Sequence, residues 1–385
     1  REGVPMRALD AARDTCERYV PGLLDALAEH PLDTLERPAS PAVELFRTHG
    51  GPALVIPKTY SGLGASPLEA VQVTRALAAA SPSLAVATTM HHFSVATLFS
   101  LADSLQSGGV EWALLEGIVE QNLLVASGFA EGRPGRGILE PTMEARRDDS
   151  GKGYLVNGSK KPCSLSSSMD LLTASVALPG PDGTSETAVL LVPRQAEGVT
   201  VHPFWSSWAL AGAESDEIRL TDVAVDEQQV MRTELGESGE LDELQTVGFV
   251  WFEMLISASY LGIASALAER VTDAGRGAVS ERARLVTRLE TATLLLEGVA
   301  RMIQDGETGN AALGKALVAR YGAQDAIGDT VRGAVELLGG MAFIGGGDVG
   351  YLAAASHGLS FHPPSRAGFA EPFVEHVGGK PLRLA

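Results

Sequence analysis

A few residues in this sequence are of types and spacings that could do chemistry. Glu253 stands in Phe249-Val250-Trp251-Phe252-Glu253-Met254, a carboxylate among aromatic and thioether neighbours. Desolvation there raises a carboxyl pKa toward the range of a general base. The other reading is an ion-paired or solvated helix residue, and the residues alone leave both open. His91 and His92 are adjacent in a helical pattern, about 100° apart around the axis, so at most one faces a given neighbour. Each is either a proton-handling group or a hydrogen-bonded structural residue. Gly339-Gly340 follows a long apolar-periodic stretch. Such a pair either lets backbone N–H groups approach a phosphate or caps a helix. Arg133 and Arg136, in a Gly/Arg stretch, either meet phosphates or are solvated loop cations. The chain carries no metal-ligand spacing, no G-x-S-x-G and no P-loop lysine motif.

The elements that must position these residues follow from hydrophobic periodicity. Up to about residue 120 the pattern is helical, with Ala8, Ala11, Ala12, Cys16, Tyr19 and Val20 at three- and four-residue spacing. Ser66-Pro67-Leu68-Glu69 is a helix start: an N-cap serine, proline at the first helical position, and a glutamate to close a capping box. Another helix begins near Ser81-Pro82 and carries both histidines. Between 121 and 235 short apolar runs appear: Leu123–Phe129, Tyr154–Val156, Leu171–Ala177, Ala188–Val192 and Val199–Val201. Turn chemistry at Asp148–Gly151, Asn157-Gly158 and Pro179–Gly183 separates them. Helical periodicity returns over Leu241–Asp273, Glu281–Gln304 and Asn310–Leu338. The reading is an α+β chain: helical 1–120, a β-barrel or sandwich over 121–235, and a helical bundle over 236–385.

The 385 residues carry 30 Lys+Arg against 48 Asp+Glu, a formal charge of −18. That balance repels phosphate backbones and anionic lipid, which argues against nucleic-acid or membrane partners. Two cysteines, Cys16 and Cys163, make no disulfide framework and fit a reducing, cytoplasmic setting. No 18-residue uncharged apolar span is expected.

The α–β–α order, together with specific residues, resembles the acyl-CoA dehydrogenase superfamily. Pro57-Lys58-Thr59-Tyr60-Ser61-Gly62-Leu63-Gly64 is similar to the family's P-x-x-Y-G-G-x-G turn. Ala126–Gly132 resembles the entry to the β-domain, and Tyr154–Lys161 the Y-x-x-N-G-x-K hairpin. Ser215 with Leu220–Val223 resembles the close of that domain. Lys315 and Glu336–Gly340 resemble the K…Q-x-x-G-G segment. The resemblance implies an N-terminal helical domain, a middle β-domain and a C-terminal four-helix bundle. It also implies an FAD held between domains and completed across subunits of a homodimer or homotetramer. Cofactor positions carried over are Ala130, Cys163, Ser164, Arg276, Gly339, Gly340 and Ser365. Arg133, Arg136 and Trp251 are carried over as substrate contacts.

The family's base is a glutamate that removes a proton α to a thioester carbonyl. At its C-terminal motif this chain has His362-Pro363-Pro364-Ser365, with Pro363 in the glutamate's place. Glu253 is the nearest alternative carboxylate, one residue off the register of members with a base on that helix; Glu371 and Glu375 lie further along. The first reading is therefore α,β-dehydrogenation of an acyl thioester on CoA or a carrier protein, with an electron-transfer partner. The alternative is a reduced-flavin monooxygenase of the same fold, acting through a flavin C4a-hydroperoxide. It would use FMN in a two-component form fed by a flavin reductase. His362-Pro363-Pro364-Ser365-Arg366 is similar to the H-x-P-x-R-like stretch of those relatives, with His91 or His92 and Ser164 in comparable places.

Overall fold

The computed structural model describes residues 7–104, 109–133, 140–180, 183–232 and 241–384. The chain begins with helices α1 (Arg7–Tyr19), α2 (Leu23–Ala28), α3 (Leu32–Glu36), α4 (Ala42–Thr48), α5 (Pro67–Ala80), α6 (Pro82–Ala102) and α7 (Val110–Gln121). Ser66 caps α5 as the sequence predicts: its Oγ accepts from Glu69 N–H while the Glu69 carboxylate accepts from Ser66 N–H. Ser81 caps α6 and is itself held by the buried carboxylate of Glu36. That carboxylate also accepts from Ser83 N–H and Oγ, and from Tyr351 Oη at 2.5 Å.

The strands are β1 (Val125–Gly128), β2 (Glu144–Arg147), β3 (Gly153–Cys163), β4 (Leu171–Pro179), β5 (Ser185–Pro193), β6 (Val199–His202), β7 (Asp216–Asp226) and β8 (Val230–Arg232). They form one sheet in the order β6-β7-β3-β2-β4-β5-β8, with β1 parallel to β4. Asn157-Gly158 is not the turn that its composition suggests. It lies inside β3 at a register shift against β7, with Gly158 at φ 148 and a Cβ there only 2.3 Å from Met143 Cγ. The same dipeptide serves a bulge as well as a hairpin, because both need a residue without a Cβ.

Three long helices follow, α8 (Glu243–Asp273), α9 (Val279–Gln304) and α10 (Gly309–Leu338), then α11 (Gly340–Gly345), α12 (Asp348–Ser356) and α13 (Arg366–Val377). Helix α8 runs through the middle, against α5 and α6 on one side and α9 and α10 on the other. Here the sequence expectation needs correcting. Both α6 and α8 reach the length and apolarity of a membrane span. Both are core helices, hydrophobic around most of their circumference because neighbours surround them.

Candidate active site

Residues from the N-terminal helices, the sheet and the C-terminal segment meet in an aromatic cluster. Phe93 of α6 packs edge-on against Phe252 of α8, centroids 5.4 Å apart, and lies 6.5 Å from Phe129 just past β1. Phe252 in turn meets His362 at 6.1 Å. The His362 ring also lies edge-on to Tyr260, whose buried hydroxyl is 2.9 Å from His362 Nε2. Tyr260 fits because residue 358 is glycine: a Cβ there would sit 2.4 Å from the phenol oxygen.

The backbone around His362 is clamped by Arg320 of α10. Its guanidinium donates to the carbonyls of Leu359 at 2.8 Å and His362 at 2.9 Å, and to Glu253 Oε2 at 3.0 Å. Tyr321 Oη donates to the Pro364 carbonyl at 2.6 Å. Arg320 and Glu253 are both fully buried, so each charge depends on the other. Burial lifts the Glu253 carboxyl to about 7 against the pull of Arg320. One carboxylate oxygen, Oε2, is held in an ion pair at the α8–α10 interface, while Oε1 is buried without a partner among the described residues. Burial, with Arg320 adding to it, pushes the His362 imidazole down to about 3, so the ring is neutral. The weaker carboxylates are surface groups: Glu371 is exposed, and Glu375 pairs with Lys380 at 2.7 Å.

The two α6 histidines are held elsewhere. His91 Nε2 donates to the Pro52 carbonyl at 2.8 Å, and Val125 N–H donates to its Nδ1 at 3.0 Å. It therefore pins β1 to the N-terminal helices, and burial pushes it down to about 4. His92 packs on Phe46 and His91, and neither of its ring nitrogens has a partner among the described residues. Neither histidine shares the contacts of the Phe93–Phe252–His362 cluster.

Just past the end of β3 and just before β7, Ser164 Oγ and Ser215 Oγ lie 2.9 Å apart, both buried. The loop from Leu210 to Glu214 connects this pair to the His362 region. Leu165 N–H donates to the Ala213 carbonyl, while Leu210 Cδ1 lies against Gly358. The neighbouring Cys163 thiol points into the sheet toward the Ser127 carbonyl, and burial pushes it up to about 12. The Ala130 carbonyl accepts from Lys161 N–H at 2.8 Å. Ser365 Oγ caps α13 by accepting from Gly368 N–H. Of the aromatic residues after β6, Trp208 is exposed and packs edge-on against Tyr351.

Arg276 and the glycine pair share one end of the bundle. The α8–α9 turn backs onto the end of α10, where a Cβ on Gly277 would come within 2.6 Å of Leu337. Gly339 ends α10 with φ 83, which meets the capping reading. No heavy atom beyond the neighbouring backbone lies within 4 Å of a Cβ at Gly339 or Gly340. Arg276 is exposed and joins no ion pair among the described residues. Arg133 is exposed on the sheet rim, and Arg136 lies outside the described residues.

Trp251 lines a cleft of about 450 Å³ between the Val55–Pro67 turn, the end of α6, the start of α8 and the end of α9. Its walls include Val55, Phe99, Val247 and Val250. Phe99 and Trp251 pair edge-on at 6.2 Å. Phe93 and Trp251's neighbour Phe252 begin the aromatic cluster on the same two helices. Sequence reasoning missed Tyr260 and Arg320. The available signal was a lone arginine inside the apolar run Ala316–Tyr321, which a buried helix face tolerates only with a partner.

Residues 126–223 match the family model described as acyl-CoA dehydrogenase, middle domain. The chain is 49% identical over 380 residues to isobutylamine N-hydroxylase of Streptomyces viridifaciens, covering 98% of this chain and 100% of that protein. In structure it is similar to KijD3 in complex with FMN and dTDP-3-amino-2,3,6-trideoxy-4-keto-3-methyl-D-glucose, with TM-score 0.83, 18% identity and coverage of 99% and 96%. It is also similar to the prolyl acyl carrier protein oxidase AnaB, with TM-score 0.79, 17% identity and coverage of 96% and 99%. The order of elements, the matched middle domain and a relative aligned from end to end agree: this chain belongs to the acyl-CoA dehydrogenase superfamily and is a flavin-dependent oxidoreductase.

Proposed function

We propose that the protein is a flavin-dependent monooxygenase that hydroxylates the nitrogen of a small aliphatic primary amine. One observation carries this reading over dehydrogenation of an acyl thioester. The residue set at the aromatic cluster is a neutral imidazole, His362, whereas the nearby carboxylate, Glu253, is bound into a buried ion pair. Removing a proton α to a carbonyl needs a base that reaches the substrate, and Glu253 is fully buried. Oxygen transfer to nitrogen needs hydrogen-bond donors that leave the substrate carbon alone. Similarity over the full chain to an amine N-hydroxylase supports the same choice.

The donor set fits a flavin. Ser164 and Ser215 share one hydrogen bond and so keep one hydroxyl proton to donate, a neutral group suited to the polar edge of the ring. The Gly339 N–H is engaged by the Val335 carbonyl, but the open space at Gly340 and Arg276, which joins no ion pair among the described residues, suit a phosphate. When bound, reduced flavin supplies two electrons and activates oxygen. The overall change balances as amine plus oxygen plus reduced flavin giving hydroxylamine, water and oxidised flavin. The cleft at Phe99 and Trp251 offers an apolar patch for an alkyl group, on walls that also carry Lys58 and Glu307, and the apolar part favours the neutral amine, whose lone pair must attack. The reduced flavin comes from a reductase partner. Met341, Phe343 and Ile344, exposed beside Gly339-Gly340, suit a homo-oligomer.

The test supplies purified protein with enzymatically reduced FMN or FAD, isotopically labelled oxygen and isobutylamine. Labelled N-hydroxyisobutylamine in the mass spectrum is the expected product. Anaerobic bleaching of bound flavin by an acyl thioester, with no oxygen-dependent product from any amine, would overturn the proposal.

A further inference from the structure

We infer that Tyr260 is a positioning residue that fixes His362 as its Nδ1–H tautomer, so that the ring presents an N–H donor rather than an acceptor. The argument starts from the phenol. Tyr260 is fully buried, and its hydroxyl has a single partner among the described residues, His362 Nε2 at 2.9 Å. A buried hydroxyl that does not donate leaves its hydrogen unpaired, at the cost of a lost hydrogen bond. With Nε2 as acceptor the hydrogen is paired. The reverse arrangement, Nε2–H donating to the phenol oxygen, strands it. Nε2 therefore carries no proton.

The second step concerns charge. The Arg320 guanidinium donates to the carbonyls of Leu359 and His362 and stands beside the ring, and an imidazolium there would add a second cation to a buried site. A neutral ring without a proton on Nε2 holds it on Nδ1. No protein acceptor for Nδ1–H occurs among the described residues. The ring borders Phe252 of the aromatic cluster on one side and Tyr260 on the other. Which ring nitrogen carries the proton is set by the bond that the other makes, and here Tyr260 makes it. Arg320 fixes the backbone, and Gly358 leaves the phenol room. The free Nδ1–H is then available as a donor; its use on the reacting groups rests on the monooxygenase reading, whereas the tautomer does not.

The experiment is nitrogen-detected proton correlation NMR on the full-length protein labelled with 15N-histidine. Its eight histidines are reduced to one by comparison with His362→Gln. The expected spectrum shows His362 Nδ1 protonated and Nε2 at the shift of a bare imidazole nitrogen. In Tyr260→Phe the ring reverts toward Nε2–H, the form preferred in water, and product formed per oxygen consumed falls about fivefold. Protonated Nε2 in the unmutated protein overturns the inference even if the variant fails to fold, and so does an unchanged tautomer in a folded Tyr260→Phe. Correct tautomers with no amine oxidation would instead count against the proposed function.

Discussion

Two places in this molecule hold histidines in or against the core, His91 and His92 buried and His362 half-buried, and they differ in what each ring nitrogen is doing. At the start of β1 both nitrogens of His91 are consumed by backbone groups, one donating to Pro52 and one accepting from Val125. Beside it His92 makes no hydrogen bond among the described residues and sits against Phe46. At the other end of the core, His362 has one nitrogen engaged by Tyr260 and the other without a protein partner among the described residues. A ring with both nitrogens engaged is a joint in the fold. A ring held by one nitrogen is oriented and still has chemistry to offer. Burial lowers the pKa in both places, to about 4 for His91 and about 3 for His362. The shift alone does not separate a ring with both nitrogens engaged from one with a nitrogen free; the hydrogen bonds do.

The sharpest way to break this contrast is His362→Ala. It is expected to lower hydroxylated product about a hundredfold and divert oxygen to peroxide, measured by product and peroxide assays on the same sample. A variant with unaltered coupling would put His362 in the same structural class as His91. Next in size is His91→Ala, which strands the Pro52 carbonyl and the Val125 N–H in the core. A loss of about 2 kcal/mol in urea unfolding is expected, with the ratio of product to peroxide unchanged. The last effect is a pH slope, the smallest per unit of pH. The folded-state pKa of His91 lies below its unfolded value near 6.5, so the unfolded chain binds more protons between pH 6.5 and 4. Its contribution is complete above 6.5 and lost as the pH falls, with a slope of at most about 1.4 kcal/mol per unit. Unfolding curves across that range should flatten in His91→Ala.

The architecture was largely legible, because element type follows from periodicity that burial enforces. The expected helix from Pro82, the capped start at Ser66 and the strands at Val125, Leu171 and Val199 all stand where alternation or threefold spacing puts them. Asn157-Gly158 was misread because a bulge and a hairpin ask the same thing of a glycine. The site was legible only in part. His362 was singled out through the replaced glutamate motif, but the partners the structure gives it lie far along the chain. Nothing local marks Tyr260 among alanines and serines as a hydrogen-bond partner. Glu253 looked reactive for the right reason, desolvation, while the cation opposing it could not be seen from its neighbours in sequence.

The clamp around His362 also sets an order of events during synthesis. Arg320 meets Glu253 across 67 residues and the His362 carbonyl across 42, while Tyr260 meets His362 across 102. As the chain is made, Arg320 and Glu253 can pair early, but four backbone carbonyls from Leu359 to Pro364 remain to be gathered. Tyr260 has no acceptor until His362 arrives. The long helices can therefore form while the His362 ring is still missing. The helical scaffold that confines this ring is therefore made before the ring itself.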